Sequence, residues 1–222
     1  MKELLNQEKK SLWLDLMDRA ITVVTILVIL CLSFTIITYL FFRPYEIEGS
    51  SMSPTIENGE TVLITSSGGV GERGDIVVID ILYDDNFSLS SSEQYIIKRV
   101  VGVGGDRIGF VYNQDKSEYY LYLNKGNGWE KTQENFSMKR VSDLFSNIEN
   151  CLDESELDSK SVLIESGKVF VLGDNRDVSA DSRKFGQFSL KSIKGKYLYT
   201  LPKDGILEFM FSLVFTKENS IN

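Results

Sequence analysis

The sequence predicts a mainly β protein: a single N-terminal transmembrane helix followed by an antiparallel β-sheet domain with a small inserted α/β subdomain. Three observations carry this expectation. Residues 20–42 (AITVVTILVILCLSFTIITYLFF) run for 23 positions without a charge. Beyond them the pattern breaks into short segments rich in Val, Ile and Tyr, separated by Gly, Ser and Asp, which is the signature of strands and turns. Residues 112–168 are then polar and net acidic, as expected of an insertion carrying its own small subdomain.

The apolar run at 20–42 would be about 35 Å long as a helix, enough to cross a bilayer core of about 30 Å. A cleaved signal peptide would have an apolar stretch of only about 7 to 15 residues and an Ala-x-Ala-like site. Here the run ends in Arg43-Pro44-Tyr45, so a retained anchor is expected. Lys2, Lys9, Lys10 and Arg19 precede the span, and Arg43 alone closely follows it. Because orientation tracks Lys and Arg, residues 1–19 are expected to be a cytoplasmic tail and residues 43–222 an extracytoplasmic domain. A single-pass cell-membrane protein follows.

Within the outer domain, strands are expected at 45–48, 61–65, 75–81, 95–103, 119–124, 169–172 and 195–201. Turns are marked by Ser66-Ser67-Gly68-Gly69, Gly104-Gly105-Asp106 and Asn124-Lys125-Gly126-Asn127-Gly128. The serine-rich stretch 84–93 reads as an exposed loop. Val141, Leu144, Phe145, Ile148 and Leu152 fall at helical spacing on one face, predicting a helix that packs on a sheet. Residues 206–215 (ILEFMFSLVF) are apolar but too short to span a membrane. They fit either a buried element or an apolar surface resting on the bilayer.

Charge narrows the partners. The tail's four basic and four acidic residues cancel, so the outer domain carries the whole formal net charge of -8. Such a surface argues against nucleic acid or anionic headgroups as main partners. Two cysteines, Cys31 and Cys151, are too few for a disulfide framework or a zinc knuckle. No sequence motif calls for a metal or a cofactor, and nothing in the sequence sets an oligomeric state.

The chain contains no histidine. A Ser-His-Asp triad, a Cys-His dyad and a histidine general base are therefore all excluded. A hydrolase can still work if a serine is paired with a lysine neutral enough to accept its proton. Ser50 and Ser51 sit in the segment Glu48-Gly49-Ser50-Ser51-Met52-Ser53-Pro54-Thr55, which taken alone reads as a polar turn. Lys98 lies in Tyr95-Ile96-Ile97-Lys98-Arg99-Val100-Val101-Gly102, and on a strand of period two it shares its face with Ile96 and Val100. A lysine among apolar neighbours loses hydration, and its pKa falls. Lowering it from about 10.4 to near 7 requires about 4 kcal/mol of differential solvation, within reach of burial. From the pattern alone two readings stand, a desolvated lysine and one whose ammonium snorkels to solvent.

A third cluster, Gly173-Asp174-Asn175-Arg176-Asp177-Val178-Ser179-Ala180-Asp181-Ser182-Arg183, packs three aspartates and two arginines into eleven positions. It lacks the EF-hand spacing and its glutamate. A loop held by Asp–Arg pairs fits better than a calcium site.

Taken together, the anchor, Ser51 to Thr55, Arg73-Gly74-Asp75-Ile76-Val77-Val78, residues 95–106 and residues 173–183 resemble the bacterial type I signal peptidases in order and placement. These are membrane-anchored Ser-Lys endopeptidases that release exported proteins from their signal peptides. The resemblance implies Ser51 as nucleophile and Lys98 as general base. It also implies Ser179 as the serine whose hydroxyl helps hold the lysine, and Asp181 and Arg183 as a supporting ion pair. Signal peptides of secreted preproteins and the lipid bilayer are the implied partners. Val178 and Gly104 depart from the usual Asn and Pro, and Gly49 offers no hydroxyl two positions before Ser51. The alternative is a narrow-specificity or weakly active relative that acts as an accessory in assembling surface structures.

Overall fold

The computed structural model describes residues 2–65, 71–83, 94–132, 151–203, 205 and 220–221. The chain divides into two compact units, Met1–Phe41 and Phe42–Asn222. The first is one helix, α1 (Lys2–Phe41). Its apolar portion lies within Leu12–Ile37, where the mean hydropathy over an 18-residue window is 2.8. Polar side chains inside it are turned onto the helix itself: the hydroxyls of Thr22, Thr25, Ser33 and Thr35 donate to the carbonyls four residues back at 2.8 to 2.9 Å. Each of these hydroxyl donors is thereby satisfied within the helix.

The second unit is built on two sheets. The strands are β1 (Phe42–Ile47), β2 (Thr61–Thr65), β3 (Ile76–Asp80), β4 (Tyr95–Val103), β5 (Arg107–Asn113), β6 (Glu118–Asn124), β7 (Trp129–Lys131), β8 (Val162–Leu163), β9 (Lys168–Leu172), β10 (Phe188–Ser189), β11 (Ile193–Thr200) and β12 (Ser220–Ile221). Two short helices, α2 (Leu157–Lys160) and α3 (Ser182–Phe185), complete the described elements with three 3-10 turns. The larger sheet has the order β10-β9-β4-β3-β11-β2-β1-β12, and the smaller β7-β6-β5-β8. Among the described strands every ladder is antiparallel except β12 on β1, which is parallel, with Glu46 opposite Ser220 and Ile47 opposite Ile221.

Alternation along β3 and β4 splits the large sheet's core into two clusters. Ile76, Val78 and Ile97 join Tyr45, Ile47, Met52, Ile56, Val62, Ile64 and Ile221 in one. Val77, Ile79, Ile96 and Val100 join Ile81, Val169, Val171 and Phe188 in the other. Period-two packing of this kind fixes register, because a one-residue slip would exchange the two faces. A third cluster joins Val101, Phe170 and Leu172 of the large sheet to Ile108, Phe110, Leu121 and Leu123 of the small one. There the Phe110 and Phe170 rings lie 6.4 Å apart.

The small sheet begins at Arg107 and ends at Leu163. Strand β5 escaped the sequence reading because Gly109 interrupts its strand-forming residues. A Cβ at Gly109 would come within 2.3 Å of Leu157 Cδ2, so a larger residue there would have to displace the Leu157 side chain. The expected turns at 104–106 and 124–128 link β4 to β5 and β6 to β7. The turn at 66–69, the loop at 84–93, the segment 206–215 and all of the expected helix before Cys151 lie outside the described residues. Leu152, at the end of that helical pattern, is exposed.

Candidate active site

Strand β1 delivers the chain to a turn that holds Ser51. Gly49 has φ of 93°, a conformation open to glycine and costly for other residues, and its N–H donates to Asn58 Oδ1 at 2.8 Å. Past Ser51 the chain coils, with Thr55 N and Ile56 N donating to the Met52 carbonyl at 2.9 and 3.1 Å. Met52 and Ile56 are buried in the core, so apolar burial pins the turn from below while Ser51 stays partly open to solvent.

Lys98 occupies the middle of β4, opposite Val77 of β3. It is 2% exposed, so its ammonium does not snorkel to water. Its Nζ donates to Ser51 Oγ at 2.9 Å and to the Ile97 carbonyl at 2.8 Å. Serine and lysine, 47 positions apart, thus meet at hydrogen-bond distance. Burial of this kind disfavours a charged amine and favours a neutral one.

The loop from Gly173 to Arg183 wraps this pair. Gly173 lets the backbone approach: a Cβ there would lie 2.2 Å from Ser179 Oγ and 2.5 Å from the Ser51 carbonyl oxygen. Asp181 and Arg183 are fully buried and form a two-pronged pair at 2.8 and 2.9 Å. Asp181 also accepts from Gly173 N at 3.0 Å, and Arg183 Nη2 donates to the Ser179 carbonyl at 3.2 Å. Ser179 is buried against Gly173, and its hydroxyl makes no hydrogen bond among the described residues.

Several residues that the sequence reading did not single out complete the site. Asp174, buried, receives Arg99 Nε at 2.7 Å, Arg99 Nη2 at 2.6 Å and Thr55 Oγ1 at 2.5 Å. Asn175 donates from its backbone to the Ser51 carbonyl and from Nδ2 to the Ser50 carbonyl, each at 3.0 Å. All of these residues lie inside the quoted motifs, but their pairing is long-range and has no local periodicity to reveal it. Asp174 and Asp181 are each engaged by an arginine. No group of three or more metal-ligating side chains occurs among the described residues.

Away from the site, Arg73 pairs with buried Asp106, with Nε to Oδ2 at 2.7 Å. Its guanidinium pKa is raised chiefly by that hydrogen bond. In the Arg73-Gly74-Asp75 motif, Asp75 receives Lys196 from β11 at 2.5 Å. Both pairs tie connections of the large sheet.

Comparison with known proteins places the chain. A family model described as signal peptidase, peptidase S26, matches residues 19–201. Signal peptidase IB of Staphylococcus aureus (strain Mu50 / ATCC 700699) is 36% identical over 158 residues, covering 69% of this chain and 74% of the relative. Signal peptidase I U of Bacillus subtilis (strain 168) is 33% identical over 169 residues, covering 74% of this chain and 77% of the relative. A crystal structure of a signal peptidase I from Enterococcus faecalis V583 is 24% identical with a TM-score of 0.35, covering 60% of this chain and all of that one. By the span of the family match and the identity to its curated relatives, the chain belongs to the bacterial type I signal peptidases, the serine hydrolases of peptidase family S26.

Proposed function

We propose that the chain is a membrane-anchored endopeptidase in which Ser51 is the nucleophile and Lys98 the general base, releasing exported preproteins from their signal peptides. The observation that carries the reading is the 2.9 Å contact between Lys98 Nζ and Ser51 Oγ, with the lysine 2% exposed. An accessory that only held surface subunits would have no need of a buried amine at this distance from a serine.

In the reaction, Lys98 is neutral and keeps one N–H on the Ile97 carbonyl, which aims its lone pair at the Ser51 hydroxyl. Ser51 Oγ attacks the scissile carbonyl carbon as its proton passes to Nζ. The Ser51 backbone N–H takes the developing oxyanion, because Gly49 brings no hydroxyl. The Lys98 ammonium then protonates the leaving amine, the C–N bond breaks, and an acyl-serine remains. Neutral Lys98 next takes a proton from water, hydroxide adds to the ester, and Ser51 leaves with that proton as the signal peptide is freed. Asp181 and Arg183 hold the surrounding loop. Ser179, whose buried hydroxyl is uncommitted among the described residues, is proposed to hold Lys98 while Ser51 is acylated.

Residues 20–42 serve as the anchor, with residues 1–19 cytoplasmic and 43–222 outside. Ser51 lies nine positions after Phe42. A preprotein would offer its cleavage site as an extended segment recognised through main-chain hydrogen bonds and small side chains.

The test is cleavage of a preprotein in detergent by the wild type, Ser51→Ala, Lys98→Ala and Ser50→Ala. The first two variants should lose turnover by about a thousandfold or more, and Ser50→Ala should retain it. Turnover persisting in Ser51→Ala or Lys98→Ala would sink the assignment.

A further inference from the structure

We propose that Asn175 is the positioning residue of the oxyanion site, acting through the peptide unit between Ser50 and Ser51. The inference rests on the reading of Ser51 as nucleophile and adds to it the residue that aims the oxyanion donor. A trans peptide is planar, and its carbonyl and N–H point to opposite sides. Whatever holds the Ser50 carbonyl therefore also sets the direction of the Ser51 N–H.

Two donors hold that carbonyl, Asn175 Nδ2 at 3.0 Å and Ser53 N at 3.2 Å. The next peptide unit is held from the same residue, since the Ser51 carbonyl accepts from Asn175 N at 3.0 Å. Asn175 thus grips both peptide planes that meet at the Ser51 Cα, one by its side chain and one by its backbone. With both planes fixed, the φ and ψ of Ser51 are fixed too. The Ser51 N–H itself donates to nothing among the described residues, while its side chain remains accessible.

The grip is itself rigid. The Asn175 carbonyl accepts from Ser179 N at 3.1 Å and Val178 N at 3.3 Å. The preceding residue, Asp174, is locked by Arg99 and Thr55. A donor held this way incurs no reorganisation cost when charge develops on the substrate. A hydrogen bond to an amide carbonyl also polarises the N–H of the same unit. In this chain the demand on that N–H is high, because Gly49, at positive φ, contributes no side-chain donor.

A loop tie with no catalytic consequence is the competing account, and kinetics separate the two. The experiment compares the full-length wild type with Asn175→Ala and Asn175→Leu in detergent on one preprotein and one short peptide substrate. Asn175→Leu keeps the branched shape without a donor for the Ser50 carbonyl and adds no charge that would shift the Lys98 pKa, so it carries the test if Asn175→Ala fails to fold. Expected is a fall in kcat of about tenfold to hundredfold, with KM changed by less than about twofold and the midpoint of the pH–rate profile unmoved. A peptide aldehyde, whose adduct with Ser51 carries the oxyanion, should lose affinity by the same factor as kcat. The same peptide with a reduced scissile bond should bind as to the wild type.

Wild-type kcat in Asn175→Leu, or equal losses of affinity for the aldehyde and the reduced peptide, would overturn the proposal. So would a shifted pH midpoint, which would mean that the Ser51–Lys98 pair had been disturbed instead. Failure of the underlying reading looks different: Ser51→Ala would still cleave, whatever the Asn175 variants did.

Discussion

Arg99 donates through two nitrogens to the two oxygens of Asp174, 75 positions further along the chain. The pair joins the strand that carries Lys98 to the loop that reaches over Ser51. Thr55, from the serine turn, binds the same carboxylate. Three segments distant in sequence therefore converge on one buried anion. Replacing Asp174 by Ala leaves Arg99 and Thr55 without it, and breaking such a pair costs about 3 kcal/mol or more. Urea denaturation of Asp174→Ala should show a lowered midpoint, with Asp174→Asn intermediate. An unchanged midpoint would mean that the arginine is satisfied by solvent.

The pH dependence of turnover has a definite sign. A general-base lysine works only as the neutral amine, so kcat/KM should rise with pH through the pKa of Lys98 and then level off. A profile measured on a peptide without titrating groups should show this limb. Activity that fell over the range where lysine loses its proton would rule the role out.

Gly173→Ala should impair activity more than stability. The added methyl would meet Ser179 Oγ at 2.2 Å, Ser179 Cβ at 2.4 Å and the Ser51 carbonyl at 2.5 Å, so loop and serine turn must part. Overpacking of this order costs about 1 to 3 kcal/mol. A crystal structure or a kcat measurement on the folded variant would register the displacement of Ser51, and wild-type kcat would contradict it.

Tyr122, in β6, titrates late. Burial first, and then its hydrogen bond to Glu154 at 2.5 Å, push the phenol from 10.0 up to about 12. The folded state holds this proton more tightly than the unfolded chain does. Its contribution to stability is therefore whole below pH 10 and is lost as pH rises towards about 12. Ultraviolet titration of wild type against Tyr122→Phe should show one phenol missing from the latest step. Its loss from an early step would refute the assignment.

Phe170→Ala should open a cavity between the two sheets, where Phe170 packs with Phe110, Ile108, Leu121 and Leu123. The expected loss is about 3 to 5 kcal/mol. Thermal unfolding measures it, and a loss under about 1 kcal/mol would show that the small sheet contributes little to holding the large one.

Much of the frame was legible because its signals are local. Strand β4 runs from Tyr95 to Val103 as alternation predicted, and Thr61–Thr65 is a strand as expected. The absent histidine left a lysine as the candidate base, and Lys98 was singled out by its apolar strand neighbours taken together with the family resemblance of its segment. What stayed hidden depends on tertiary placement. Asn175 and Asp174 look like ordinary turn residues until the fold brings Ser50 and Arg99 beside them. Strands β8, β10 and β12 have two residues each, too few for any periodicity to register.

Strand β12 gives the β1 edge a settled occupant. Glu48 N donates to the Ile221 carbonyl at 2.7 Å, and the Ile221 side chain is buried in the cluster that holds Met52, the residue after Ser51. The outer side of β1 at Glu46–Glu48 is thus a filled berth rather than a vacant one. An incoming strand could pair there only by exchange with Ser220–Ile221, and its net affinity would be the difference between two strand pairings rather than the whole of one.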